Sequence, residues 1–268
     1  MNGSLRVCSY AALLAGAREA TPSVRYDRKG YSPSWKDNLL DGLPLAEIAG
    51  DLAAGAGREL EGKLCAAHSS AVLAVNTFGP WRTKPASLHV GGVTGFRSLR
   101  FEATVPTGLN GKPPHLDLLA EGDLPVAVES KCTEWMQPKP PVFSPSYDRL
   151  RRAHGHSPWF EQVLQLRATP DRYDFLDAAQ IVKHALGLMN CYGSRNVRLM
   201  YLYWEPSNAE TWIQCRQHRA EADDLAARVQ HSTVRLFPIS YPELWAEWER
   251  HGPPPHLPRL RIRYGQDA

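Results

Sequence analysis

A chain of 268 residues, 43% hydrophobic and 22% charged, is long enough for a sizeable core and lacks the bias of a disordered or fibrous sequence. Its formal charge of +3 permits an anionic partner without demanding one, so a nucleic-acid surface has to come from local clustering of basic side chains. Five cysteines with no CxxC spacing fit the reduced thiols of a cytoplasmic protein better than a disulfide frame or a structural zinc site.

The opening stretch MNGSLRVCSYAALLAGAREA puts a basic residue ahead of a short apolar run. Polar residues break that run and no cleavage site follows it, so a frayed or helical N-terminus is expected in place of a signal peptide. Nothing approaches the ~18 apolar residues of a membrane span, and no membrane partner is expected. Residues 22–45 are rich in turn formers and aromatics and read as an irregular arm, making 1–45 an N-terminal arm over one domain at 46–251. From Leu45 the apolar spacing turns helical, and glycines 55 and 57 divide it, with the second helix expected over 57–76.

Strands are expected at 98–105, 115–121 and 125–134, the last two joined by a tight turn and therefore antiparallel neighbours. Residues 136–170 carry prolines, aromatics and the basic group Arg149, Arg151, Arg152, His154 and His156, and read as an insertion with one short helix. A helix at 172–190, an apolar strand at 197–204, a helix at 209–230, a strand at 233–240 and a helix at 241–251 follow. Residues 252–268 form a Pro-rich basic tail with Arg259, Arg261 and Arg263. This order predicts an α/β fold around one mixed sheet, antiparallel first and parallel later.

Within VAVESKC, alternation sends Glu129 and Lys131 to one face, about 7 Å apart along the strand. Asp117 on the neighbouring strand reaches the same side if the register allows. An exposed Glu-x-Lys pair is ordinarily a surface ion pair worth little. Here it follows an apolar run and a second strand that opens on an Asp. Two carboxylates suit Mg²⁺, which takes oxygen ligands and keeps waters, and the Ser130 carbonyl is a natural further ligand. Lys131 would orient or activate the attacking water.

Asp117, eleven residues, then Glu129-Ser130-Lys131 resembles the PD-(D/E)xK nuclease signature, with His115-Leu116 where that motif has its proline. The family's αβββαβ order matches residues 57–204, and stretches from about 25 to 205 are similar to a group of bacterial restriction-endonuclease-like proteins. The resemblance implies Mg²⁺-dependent hydrolysis of DNA phosphodiesters, with Mn²⁺ able to substitute. A homodimer cutting both strands is one form open to such an enzyme. Relatives add an acid from the helix before the first strand, which makes Glu59, ahead of Glu61, the candidate. Glu102, on a strand among apolar neighbours, is a further one. Gln180, Lys183 and His184 share a helix face, and Lys112 sits in a glycine-containing loop, so Gln180, Lys183 and Lys112 are candidate DNA contacts. Arg149, Arg151, Arg152 and the tail arginines would supply sequence-blind phosphate contacts.

Other chemistries find less support. His68-Ser69-Ser70 lies on one helix without a GxSxG elbow, Cys132 faces away from Glu129, and neither a Walker loop nor an HExxH zinc motif occurs. A non-catalytic DNA- or protein-binding module on the same fold is the rival reading.

Overall fold

The computed structural model describes residues 4–55 and 59–268, with 59–61 described by their backbone alone. The chain begins with α1 (Leu5–Ala20), which buries Leu5, Leu13 and Ala17. Then come α2 (Leu45–Gly55), α3 (Glu59–Leu64) and α4 (Ser70–Phe78). The helix expected over 57–76 is thus interrupted at 65–69, and Gly57 lies outside the described residues. The cause is tertiary. Residues 30–32 of the arm take backbone bonds from 65–67: Ser32 N–H donates to Cys65 O, and Ala67 N–H to Gly30 O. Asn38 Nδ2 donates to the carbonyls of Leu64 and Ala66. A new helix starts where Ser69 Oγ accepts the Val72 N–H at 3.3 Å.

β1 (Ser98–Thr104), β2 (His115–Glu121) and β3 (Val126–Lys131) follow, then α5 (Arg151–His154), α6 (Pro158–Ala168), α7 (Ala178–Tyr192) and β4 (Val197–Tyr203). α8 (Ile213–Val229), β5 (Val234–Ser240), α9 (Tyr241–His251) and α10 (Leu257–Tyr264) complete the order. The five strands lie in sequence order in one sheet, β1-β2-β3 antiparallel and β3-β4-β5 parallel. This mixed sheet between helices is the restriction-endonuclease-like core that the sequence predicts. All six residues of β3 are buried, because β3 is central and covered on both faces. On one face Ser130 Oγ bonds to Ser70 O of α4 and to the Tyr241 hydroxyl of α9. On the other, Lys131 meets α7.

The 136–170 segment is more than a surface insertion. α6 starts at a Ser157 cap and sends Trp159, Phe160, Val163 and Leu166 into the core, where Trp159 Nε1 donates to Val234 O at 2.8 Å. α7 begins six residues later than expected, at Ala178. The preceding N–H groups of Asp174, Phe175 and Leu176 are taken by the Glu221 carboxylate of α8 at 2.9–3.0 Å, and Asp177 caps the helix.

The basic tail is likewise structural. α10 packs on α1 so closely that a Cβ at Gly16 would lie 2.2 Å from the Arg263 carbonyl. The Arg263 guanidinium is fully buried and donates to Asn38 Oδ1 and the Tyr26 hydroxyl. Arg259 pairs with Asp41 and Arg261 with Glu249. For buried Arg263 the expected phosphate role is ruled out, whereas Arg259 and Arg261 remain partly exposed.

Candidate active site

The β2–β3 ladder runs only from Ala120↔Val126 to Leu118↔Val128, and beyond it the strands part. The next pair would be Asp117 and Glu129. Instead, Asp117 Oδ2 accepts the Ser130 N–H at 2.7 Å. A strand residue's N–H and C=O point the same way, so the Ser130 carbonyl also turns toward Asp117.

Glu129 and Lys131 project together, as alternation requires. Lys131 Nζ lies 2.5 Å from Glu129 Oε1 and donates to Gln180 Oε1 at 2.9 Å. The second oxygen, Glu129 Oε2, lies 3.1 Å from His184 Nδ1, yet neither atom makes a hydrogen bond of good geometry. Gln180 and His184 stand four residues apart on α7 and so reach the same strand end.

Glu102 joins them by a backbone departure. The β1–β2 register pairs Phe101↔Leu118 and Ala103↔Leu116 and skips Glu102 and Asp117. Glu102 has φ +49°, the only left-handed non-glycine among the described residues. Such a conformation costs on the order of 1–3 kcal/mol and persists only where its surroundings impose it. The end of α2 packs directly against it: a Cβ at Gly55 would sit 2.4 Å from Glu102 Cβ.

The three carboxylates have different proton affinities. Burial, then the charges of Glu129 and Glu102, push Asp117 well above the ordinary carboxylate range, although Lys131 and the Ser130 N–H oppose this. Burial and Glu129 raise Glu102 to about 7. Burial works against the charged form of Glu129 too, but Lys131 and His184 outweigh it and hold that carboxyl at about 2. Burial also disfavours the Lys131 ammonium, yet Glu129, Glu134 and Asp117 keep its pKa above the usual value.

These groups open into a cleft of about 560 Å³. Lys112, Gln180 and Lys183 line it, as do Glu102, Asp117, Glu129, Ser130 and Lys131. Burial lowers the Lys183 pKa, and its ammonium lies 5.4 Å from the Phe143 ring centroid. The 136–170 segment contributes Val142, Ser144 and Tyr147 to the wall. Its arginines do not line the cleft: Arg149, Arg151 and Arg152 are exposed elsewhere on that segment. The Glu59 and Glu61 side chains lie outside the described residues.

Residues 17–265 match the family described as restriction endonuclease associating with ARP. The chain belongs to this family. No curated protein and no solved structure matches the chain significantly. Membership in this restriction-endonuclease family implies a nuclease or defence-related role with DNA as the substrate. Among the described residues no helix is long and apolar enough to cross a membrane. The family match spans all five strands and the whole carboxylate cluster, and leaves out most of α1.

His184 and His115, both noted in the sequence but neither a candidate site residue there, also line the cleft. For His184 a signal existed, its four-residue spacing from Gln180. For His115, whose pKa burial lowers and whose Nδ1 is buried without a partner, there was none.

Proposed function

We propose that the protein is a Mg²⁺-dependent endonuclease that hydrolyses DNA phosphodiester bonds, with Asp117 and Glu129 holding the ion. The observation that carries this reading is the crowding of Asp117, Glu129 and Glu102 at one strand end, with Asp117 raised far above the carboxylate range. Like charges forced together in a cleft are a mark of a functional site, and a divalent cation relieves them.

The donor set fits such an ion. Among the described residues no group of three His, Cys, Asp or Glu side chains is arranged to hold a metal by itself. Two carboxylates and the Ser130 carbonyl suit a cation that keeps several waters and leans on substrate phosphate, which is the habit of Mg²⁺ and allows Mn²⁺ in its place. Bound there, the ion would polarise the scissile phosphate and acidify a water.

The chain's own groups do the remaining work. Lys131, held protonated, donates to the attacking water or to a phosphate oxygen and is not the base. Gln180 fixes the ammonium in place. Lys112 and Lys183 line the same cleft and meet the phosphate backbone as point charges.

One observation favours the rival reading of a binding module that does not cut: Lys131 and Glu129 already satisfy each other at 2.5 Å. Supercoiled plasmid incubated with Mg²⁺, Mn²⁺ or EDTA separates the two. Nicking by the native protein with Mg²⁺, absent in Asp117→Asn, is the expected result. Tight DNA binding with no metal-dependent cut would sink the nuclease reading.

A further inference from the structure

A second cleft, of about 420 Å³, shares Ser70, Glu102 and Asp117 with the first. Its far wall is aromatic and basic. Tyr10 of α1 stacks on His68 with ring centroids 4.1 Å apart and planes 22° apart, and Tyr31 meets His68 edge-on at 6.1 Å. Arg6 Nε donates to the Tyr10 hydroxyl at 2.9 Å, and Lys63 lines the cleft beside them. The Tyr31 side of the cluster is open to solvent: Tyr31 is 39% exposed. Burial lowers the His68 pKa, which leaves a neutral ring at neutral pH. Among the described residues of this wall the acid is Glu134, whose carboxylate accepts the Cys132 N–H at 2.7 Å. Beyond Tyr10 and Tyr31 a further hollow is lined by Arg28 and Lys29.

Rings with an accessible edge, flanked by cations and continuous with a phosphodiester-cleaving centre, suit one ligand above others. Nucleobases stack on aromatics while their phosphates seek Lys and Arg, and paired bases inside a duplex cannot reach such a wall. The geometry points to a subsite at Tyr10, Tyr31 and His68 that takes an unpaired nucleotide of the DNA substrate, its phosphate held by Arg6 and Lys63. This rests on the nuclease reading above and narrows it: the preferred substrate carries an unstacked nucleotide next to the scissile phosphate. A cleft of this size lies within the ~300–1,000 Å³ range of small-ligand sites, ample for one nucleotide. α1 therefore serves recognition as well as packing, through two residues, Arg6 and Tyr10, that precede the family match.

The test is binding in EDTA, where cleavage cannot interfere. Fluorescence anisotropy compares a short labelled duplex carrying one unpaired adenine with its fully paired counterpart. The native protein is expected to prefer the unpaired adenine by at least about fivefold, the low end for stacking one base on an aromatic side chain. Tyr31→Ala is expected to lose that preference while binding the paired duplex as before, and Tyr31→Phe to keep it. Tyr31 is partly exposed, so its replacement leaves the fold intact, which a thermal melt checks. Equal affinity of the native protein for both duplexes overturns the subsite, as does a preference that survives in both Tyr31→Ala and Tyr10→Ala. A protein that nicks plasmid but shows no preference loses the subsite alone. One that shows the preference but never cuts loses only the nuclease reading.

Discussion

Glu102→Gln is expected to stabilise the metal-free protein, by an amount that grows as pH rises from 4.5 to about 7 and is full above that. The native carboxyl has its pKa raised from 4.5 to about 7. Below 4.5 it is neutral whether the chain is folded or not, and costs nothing. As pH rises from 4.5 toward 7 the unfolded chain ionises first, so the folded state loses ground. Above 7 the full penalty is present, about 3 kcal/mol by linkage and somewhat less for a carboxyl at the edge of solvent. Glutamine has nearly the same shape and no ionisation, so it leaves the left-handed backbone at residue 102 as it is and removes only this penalty. The advantage of the variant works out below about 1 kcal/mol at pH 5 and about 2–3 kcal/mol at pH 8. In a domain of this size that is a gap in Tm of roughly 5–10 °C at pH 8. Thermal unfolding of both proteins in EDTA at the two pH values measures it. Millimolar Mg²⁺ should shrink the gap at pH 8 by stabilising the native protein more. A gap that is the same at pH 5 and pH 8 would refute the idea that crowding burdens Glu102.

Glu129→Ala should destabilise by about 3–5 kcal/mol because it leaves the Lys131 ammonium buried without its partner, whereas Asp117→Asn should not destabilise; chemical denaturation of both decides. Lys131→Arg should bind DNA nearly normally yet cut at least ~100-fold more slowly in single-turnover assays, since a planar guanidinium cannot take the ammonium's place beside Gln180; a rate within about threefold would make Lys131 a mere counter-charge. Replacing Arg149, Arg151 and Arg152 by Ala should lower the salt slope of DNA binding by about one per lost phosphate contact, and an unchanged slope would put the DNA away from that segment. Gly16→Ala should cost several kcal/mol, read as a drop in Tm, because its Cβ meets the Arg263 backbone at 2.2 Å.

The sheet was legible because strand identity rests on local pattern. The apolar run marked β4, the alternation around Glu129 marked β3, and the short turn at 122–125 marked β2 as the antiparallel neighbour of β3. The shared face of Glu129 and Lys131 followed from period two, while the place of Asp117 depended on the β2–β3 register. What the sequence hid depends on distant residues. The helix break at 65–69 exists because Gly30, Ser32 and Asn38 claim its backbone groups. The late start of α7 exists because Glu221 does the same to residues 174–176. Glu102 was a candidate from its apolar neighbours, but its left-handed backbone, packed against α2 at Gly55, has no local signal. Arg263 looked like a phosphate ligand because nothing near it in the chain shows a partner; that partner, Asn38, is 225 residues away.

The seam between α1 and α10 also sets a schedule. Residues 5–20 leave the ribosome long before residues 257–264, and at about 5–20 residues per second the interval is roughly 12–50 s. Throughout it the apolar stripe of α1 and the socket at Asn38 and Tyr26 wait without the helix that closes them. The protein therefore cannot mature from its first residues onward. It depends on a long-range closure that waits for residues 257–264, the kind of contact that slows folding and invites chaperone capture.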